Sequence, residues 1–485
     1  MTDLLVRGGI VVTTDGAARA DIAVEGGRIT AVEPDLGGLA ASAREAVDAT
    51  GLLVLPGVVD VHTHVRVATD ERPDRFFDDS VAAAFGGTTT FLAFNNPGTG
   101  SSEAAARSLL TGLREWRAAT GADAAVDVAP SLVITASHED PVAEIPAVVE
   151  AGVPTLKAFM VYDFGLDDAA ILRALEAAGR AGGMLQVHCE NRAILEALTA
   201  RHLAAGEIEP RFHASSRPPY VEAEATGRAI ALARAARAPL YVVHLSSADA
   251  LAEVRRARAE GLPVFAETCP VYLTLAEDRY LGDPEEAARY LISPPLRPAD
   301  HPGALWAGLA GGDLSIVATD HVPDRVGVEK QSWRESFDRV SNGAPGIETL
   351  LPIVYDEGVA TGRITLPRMV DLLSTTPARL FGFTTKGALA VGLDADIVLF
   401  DPAARRTIRG ADLHHSSDYT PFEGREVHGA VRSTLVRGSF VVRDGLFVGR
   451  RGFGRFVERA IQQLARKGRR AAFGPVSPAG GTPRG

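Results

Sequence analysis

The sequence predicts an α/β protein, a (β/α)8 barrel joined to a second, smaller β-sandwich domain that both ends of the chain build together. Three observations carry this. Residues 55–384 alternate apolar strand-like runs with Ala/Leu/Arg-rich helical runs. Both ends carry short β runs broken by glycine pairs and turns instead. The strand-like runs of the middle fall near 58, 90, 128, 156, 186, 242, 264 and 316, the eight that a closed barrel needs.

Taken in order, LLVRGGIVV and DIAVEGGRITAV near the start read as hairpin strands. The same texture returns in KGALAVGLDADIVLFDP and VRSTLVRGSFVVRDGLFVG, so residues 1–54 and 385–450 are expected to form the sandwich. In between, TTTFLAFNN precedes a helix in SEAAARSLLTGLREWRAA, TLKAFMVYD precedes DDAAILRALEAAGRAG, MLQVHCE precedes NRAILEALTARHL, and LYVVHLSS precedes ADALAEVRRARAEG. Strands separated by helices imply parallel βα units. Residues 451–485 read as a solvated helix and tail and as a candidate subunit contact, since nine Arg/Lys and one Glu lie from Arg450 to the end.

Composition narrows the function. The 485 residues are 46% hydrophobic and 23% charged, a globular balance, and the formal net charge of -11 leaves no basic footprint for nucleic acid. Two cysteines, Cys189 and Cys269, exclude a disulfide framework and a four-cysteine zinc site. No signal segment and no bilayer-length apolar run occurs, so a cytoplasmic protein is expected. Neither a G-x-S-x-G elbow nor a phosphate-binding P-loop is present. Cys189 adjoins His188, but neighbours on a strand face opposite sides, which argues against a thiolate-imidazole pair.

The chemistry gathers at strand ends. In VDVHTH, His62 and His64 are two residues apart and share one side of the first barrel strand. His188 ends MLQVH, His244 ends LYVVH and Asp320 ends LSIVATD. One buried histidine is usually a satisfied core residue, but these groups converge on the barrel rim where catalytic groups collect. Four imidazoles and a carboxylate suit zinc or a related ion and exceed what one catalytic zinc uses, which suggests two metals. Lys157 in VPTLKAFM lies within an apolar strand, where its ammonium is desolvated and its pKa falls. It can snorkel, pair with a carboxylate or, as a neutral amine, capture carbon dioxide as a bridging carbamate.

PGVVDVHTH, LKAFMVYDFG, QVHCEN, RPPYVEAEAT, PLYVVHLSS, ISPPLRP, ATDH, NGAPGIE and STTPARLFG occur in this order, and ADLHHSSDYTPFEG follows late. Together they resemble the cyclic amidohydrolases, most closely the hydantoinase and dihydropyrimidinase branch, over about the whole chain. The resemblance implies a metal-dependent hydrolase acting on C–N bonds in cyclic amides. Two Zn²⁺ or other divalent ions per subunit would be held by His62, His64 and Asp320 on one side and His188 and His244 on the other. Lys157, carboxylated by CO2, and a hydroxide would bridge them. Asp320 would serve as base and then acid, Tyr162 would donate to the oxyanion, and main-chain groups of Ser293 and Asn342 would grip the ring. The implied product is an N-carbamoyl amino acid, and the implied assembly is a homotetramer with no nucleic-acid or membrane partner.

The sequence departs from that branch at VRVATDERPDRFFDD, where a Met-Pro stretch is usual, and at Pro130 and Ser131, where relatives often carry an aromatic-His pair. FLAFNNPG and ATDHVP also lean toward dihydroorotase and allantoinase patterns. Hydrolysis of another cyclic amide is therefore the alternative, and an inactive scaffolding homologue is the rival from outside enzymology, since fold does not imply function.

Overall fold

A computed structural model of the chain describes residues 2–95 and 102–461. The chain begins with β1 (Leu4–Thr13), β2 (Gly16–Glu25), β3 (Arg28–Glu33), β4 (Glu45–Asp48) and β5 (Leu53–Pro56). It ends with β14 (Ile397–Thr407), β15 (Glu426–Val436), β16 (Ser439–Arg443) and β17 (Leu446–Phe447). These nine strands hydrogen-bond as one mixed sheet in the order β17-β16-β15-β14-β5-β1-β2-β3, with β4 paired to β1. The two ends meet at the antiparallel β5–β14 ladder, where Leu55 faces Val398 and Val54 faces Leu399.

The middle holds β6 (Val58–Thr63), β7 (Thr88–Asn95), β8 (Asp127–Val133), β9 (Thr155–Phe159), β10 (Met184–His188), β11 (Leu240–Val242), β12 (Val264–Thr268) and β13 (Ile316–Val317). They form one parallel sheet in sequence order. The first and last strands close on each other just past β13. The His64 N–H donates to the His321 carbonyl at 2.7 Å, and a parallel bridge joins Thr63 to His321. Asp60 reinforces the seam by accepting from Thr319 N–H at 3.2 Å and Thr319 Oγ1 at 2.6 Å.

Alternation explains the layers. Leu156, Ala158, Leu185, Val187, Leu240 and Val242 pack outward with helix residues such as Ile171, Leu175 and Ala229. Gly57 turns the chain from the terminal sheet into the barrel, and a Cβ there would lie 2.0 Å from Thr89 Oγ1, so the approach requires glycine.

Residues 450–461 differ from the solvated helix that their charge suggests. They run extended along the barrel, with Val128 N–H donating to Arg455 O and Val457 N–H to Val128 O, both at 2.9 Å. Arg459 is buried and its Nη1 donates to Thr155 Oγ1 at 2.9 Å. Apolar Phe456 and Ile461 pack on the core, so main-chain pairing and burial outweigh the charge pattern here. Residues 462–485, the rest of that expected tail, lie outside the described residues. Among the described residues, no helix is long and apolar enough to cross a membrane.

A buried ion cluster ties the terminal sheet to the barrel. Lys386 Nζ reaches Asp127 Oδ2 at 2.6 Å, Asp396 Oδ2 at 2.8 Å and Asp394 Oδ2 at 3.1 Å. Burial works against its charge, but Asp396, Asp127 and Asp394 outweigh it and hold the ammonium above its ordinary pKa. Replacing Lys386 by Met would strand buried carboxylates, and a loss of about 3–5 kcal/mol in unfolding free energy is expected. Denaturant titration checks this; an unchanged midpoint would remove the cluster from the stability of the fold.

Candidate metal centre

Backbone geometry first brings the two imidazoles of β6 together. Between Asp60 and Thr63, β6 places three residues against the two that β7 advances from Phe91 to Ala93, a bulge of the kind that re-aims side chains beside active sites. His62 and His64 then lie on one side, their ring centroids 5.5 Å apart. His188 closes β10, His244 lies two residues beyond β11, and Asp320 three beyond β13. His244 and Asp320 both have positive φ, at 38° and 51°, a strained backbone that the surrounding structure must impose.

The side chains meet. His62 Nε2 and His64 Nε2 lie 2.9 and 3.2 Å from the same Asp320 Oδ1. The ligand atoms of His62, His244 and Asp320 all lie within 4.8 Å of one another. The His188 ring meets His244 edge-on at 4.5 Å between centroids. Lys157 is fully buried, with its ammonium 4.8 Å from the centroids of both Phe94 and Phe159.

Electrostatics keep most of these donors neutral. Burial, aided by His188 and Lys157, pulls His244 well below its ordinary pKa; burial also lowers His64 and His188. Burial opposes charge on His62 too, but Asp320 and Glu267 overcome it and raise that imidazole to about 9. Burial lowers Lys157 to about 8, although Asp320 and Glu267 pull the other way. Burial disfavours the charged Asp320, yet His62 and the other imidazoles draw it well below the usual carboxylate range.

The residues fit a divalent metal. Lys157 Nζ and His244 Nδ1 are buried without a hydrogen-bond partner among the described residues, where nearly every buried polar atom finds one. Imidazole nitrogens converging on a carboxylate are the donor chemistry of zinc and similar ions.

Three acidic groups and an arginine that sequence reading did not single out orient this set. Glu267 is in contact with His62 Nδ1 and accepts from Tyr241 Oη at 2.7 Å and His244 N–H at 3.1 Å. A carboxylate at Nδ1 accepts a hydrogen bond from the ring N–H and leaves the Nε2 lone pair for a ligand. Glu190 does the same for His188 Nε2 at 2.7 Å, and also accepts from Ser293 Oγ at 2.9 Å and Arg217 Nη1 at 2.6 Å. Asp60 holds the Thr319 seam. Glu267 was findable, since VFAET places a carboxylate next to the end of a strand-like run; Glu190, Arg217 and Asp60 sat inside quoted motifs without an assigned role.

A cavity of about 300 Å³ opens over the centre, lined by His64, His188, His244, Asp320, Tyr162, Ser293 and Asn342 among others. Every sequence-selected site residue thus lines one cavity or, as His62 and Lys157, sits against those that do. Val65, Arg66 and Val67 of the divergent loop also line it, with Arg66 held 2.5 Å from Asp324. Pro130 and Ser131 do not; Ser131 Oγ instead accepts from Gln186 Nε2 at 2.8 Å. Cys189 is buried, and burial pushes its thiol up to about 12, which keeps it protonated at neutral pH and argues against a nucleophilic role.

The comparisons with known proteins match this architecture. The model of the amidohydrolase family matches residues 53–441. This chain belongs to the amidohydrolase family. It is 41% identical to a D-hydantoinase of Streptomyces coelicolor over 95% of this chain and 98% of that one. Against a D-hydantoinase of Geobacillus stearothermophilus the identity is 41% over 95% and 97%. Among solved structures it is similar to a dihydropyrimidinase from Brevibacillus agri, with TM-score 0.89, 41% identity and coverage of 94% and 98%. An L-hydantoinase from Arthrobacter aurescens follows at TM-score 0.86 and 30% identity, with 95% and 100% covered. The family implies divalent-metal use, in agreement with the donor set of this amidohydrolase.

Glu267→Gln keeps the size of the side chain but removes the charge behind His62. A drop in metal affinity of about 10–100-fold is expected, measured by competition with a chromogenic chelator. Affinity equal to that of the unaltered protein would take Glu267 out of the centre.

Proposed function

We propose that this amidohydrolase opens a cyclic amide ring, that of a hydantoin, a 5-substituted hydantoin or a dihydropyrimidine, and releases an N-carbamoyl amino acid. The observation that carries the reading is one cavity in which three imidazoles, a carboxylate and a tyrosine meet, in a chain about 40% identical over its length to hydantoinases.

His62, His64 and Asp320 would hold one zinc, His188 and His244 a second, and carboxylated Lys157 would stand between them. Bound there, the ions supply Lewis acidity and make water nucleophilic near neutral pH. Asp320 takes the proton of the attacking water and returns it to the ring nitrogen as the C–N bond breaks. Its carboxylate lies well below its ordinary pKa, so it begins deprotonated.

Tyr162 donates a hydrogen bond from its hydroxyl to the developing oxyanion. Burial raises its pKa, against the pull of Arg217, which keeps the hydroxyl a donor at neutral pH. Its backbone sits at φ 73°, and Arg192 Nη1 steadies it by donating to the Tyr162 carbonyl at 3.0 Å.

Ser293 and Asn342 grip the ring through the main chain. The Ser293 hydroxyl is already engaged with Glu190 and Arg217, which supports a main-chain role. No hydrogen bond among the described residues uses the main-chain N–H or C=O of either residue. Val65, Val67, Phe159 and Phe164 give the cavity an apolar wall for the exocyclic group.

The test is a panel of hydantoin, both hands of 5-substituted hydantoins, dihydrouracil, allantoin and dihydroorotate with zinc supplied. Ring opening of the first three classes is expected, with kcat falling about 10²-fold or more in Tyr162→Phe. Turnover confined to allantoin or dihydroorotate would replace this substrate class, and full kcat in the variant would remove Tyr162 from the mechanism.

A further inference from the structure

A further buried cation, besides Lys386 and Arg459, lies outside the metal centre and plays no part in the chemistry above. Lys330 is fully buried, between the Asp320 loop and the Asn342 loop. Its ammonium donates to the Leu291 carbonyl at 2.8 Å and the Ser341 carbonyl at 2.6 Å, with Asp324 Oδ2 at 3.7 Å. Leu291 precedes Ser293 by two residues and Ser341 directly precedes Asn342. A single nitrogen therefore ties together the two loops that carry the ring-gripping groups.

The tie is doubled from the far side. The Gly343 N–H donates to the same Leu291 carbonyl at 3.1 Å, and the buried Tyr419 hydroxyl donates to the Gly343 carbonyl at 3.2 Å. A Cβ on Gly343 would lie 2.4 Å from Val322 Cβ, so nothing larger than glycine allows this approach. The polar main-chain atoms around Asn342 are thus bound on both sides, while those of Asn342 itself are left unengaged. Asn342 Oδ1 is buried and has no partner among the described residues. Because the ammonium donors are tetrahedrally arranged, Leu291 O and Ser341 O are kept about 4–5 Å apart.

We propose that Lys330, backed by Tyr419, is a positioning clasp that fixes the spacing of the Ser293 and Asn342 main-chain groups and so sets affinity for the planar amide edge of the ring. This rests on the reading that those two residues grip a cyclic amide. Lys330 touches none of the proposed metal ligands, so its loss acts on ring binding. Loosening a preorganised grip raises KM, whereas general damage to the fold lowers the active fraction and hence kcat while leaving KM alone. The late ADLHHSSDYTPFEG segment, which supplies Tyr419, gains a functional reason by the same argument.

The experiment uses the full chain loaded with zinc, with hydantoin and dihydrouracil as probes. Lys330→Met and Tyr419→Phe are compared with the unaltered protein for KM, kcat and zinc content. The clasp predicts that Lys330→Met raises KM about 10–100-fold with kcat and zinc content little changed, and that Tyr419→Phe raises KM several-fold. Unaltered KM, or loss of kcat or zinc at constant KM, overturns it. Should Lys330→Met fail to fold, Tyr419→Phe removes only one hydroxyl and decides alone. Absence of turnover in the unaltered protein would instead overturn the cyclic-amide reading, and the clasp with it.

Discussion

Desolvation of Lys157 is the constraint on which the rest of the site depends. An ammonium buried against two phenyl faces, with no hydrogen-bond partner among the described residues, pulls its own pKa down to about 8. Burial thus shifts the balance toward the neutral amine, the form that can react, from an ordinary value of 10.5. A purely structural role would have supplied hydrogen-bond acceptors, as Lys386 receives three carboxylates and Lys330 two main-chain carbonyls. The contrast between these two buried lysines separates a residue that stabilises the fold from one poised to react.

Holding such a site open requires rigid surroundings. The parallel strands deliver His62, His64, His188, His244 and Asp320 to one rim, and Glu267 and Glu190 set which imidazole nitrogen keeps its lone pair. Strained backbone at Tyr162, His244 and Asp320 is tolerated because neighbouring ladders over-determine it. The terminal sheet and the segment 450–461 brace the barrel through Lys386 and Arg459, well away from the cavity. Substrate loops need the same rigidity without regular structure, and buried side chains such as Lys330 and Tyr419 provide it.

Much of this was legible in the sequence because it follows local periodicity. All eight barrel strands fall where alternating runs place them, and the imidazoles and Asp320 are marked by ending such runs. Interactions between segments distant in sequence were not legible. Glu267 acts on His62 from 205 residues away, and Lys330 joins carbonyls 39 and 11 residues distant. Neither pattern nor propensity encodes such pairs. Residues 450–461 depart from the solvated helix for a related reason: their arginines suggest solvent, while Arg459 is held by Thr155 on a strand that nothing local to it reveals. The bulge in β6 likewise depends on register with β7, which no single strand specifies.

The central claim is that Lys157 completes a two-metal centre. Its most direct test is the zinc content of purified Lys157→Ala beside the unaltered protein, both confirmed folded by circular dichroism. The account predicts two equivalents of zinc per chain in the unaltered protein and less than one in the variant. Two equivalents retained in folded Lys157→Ala would contradict it.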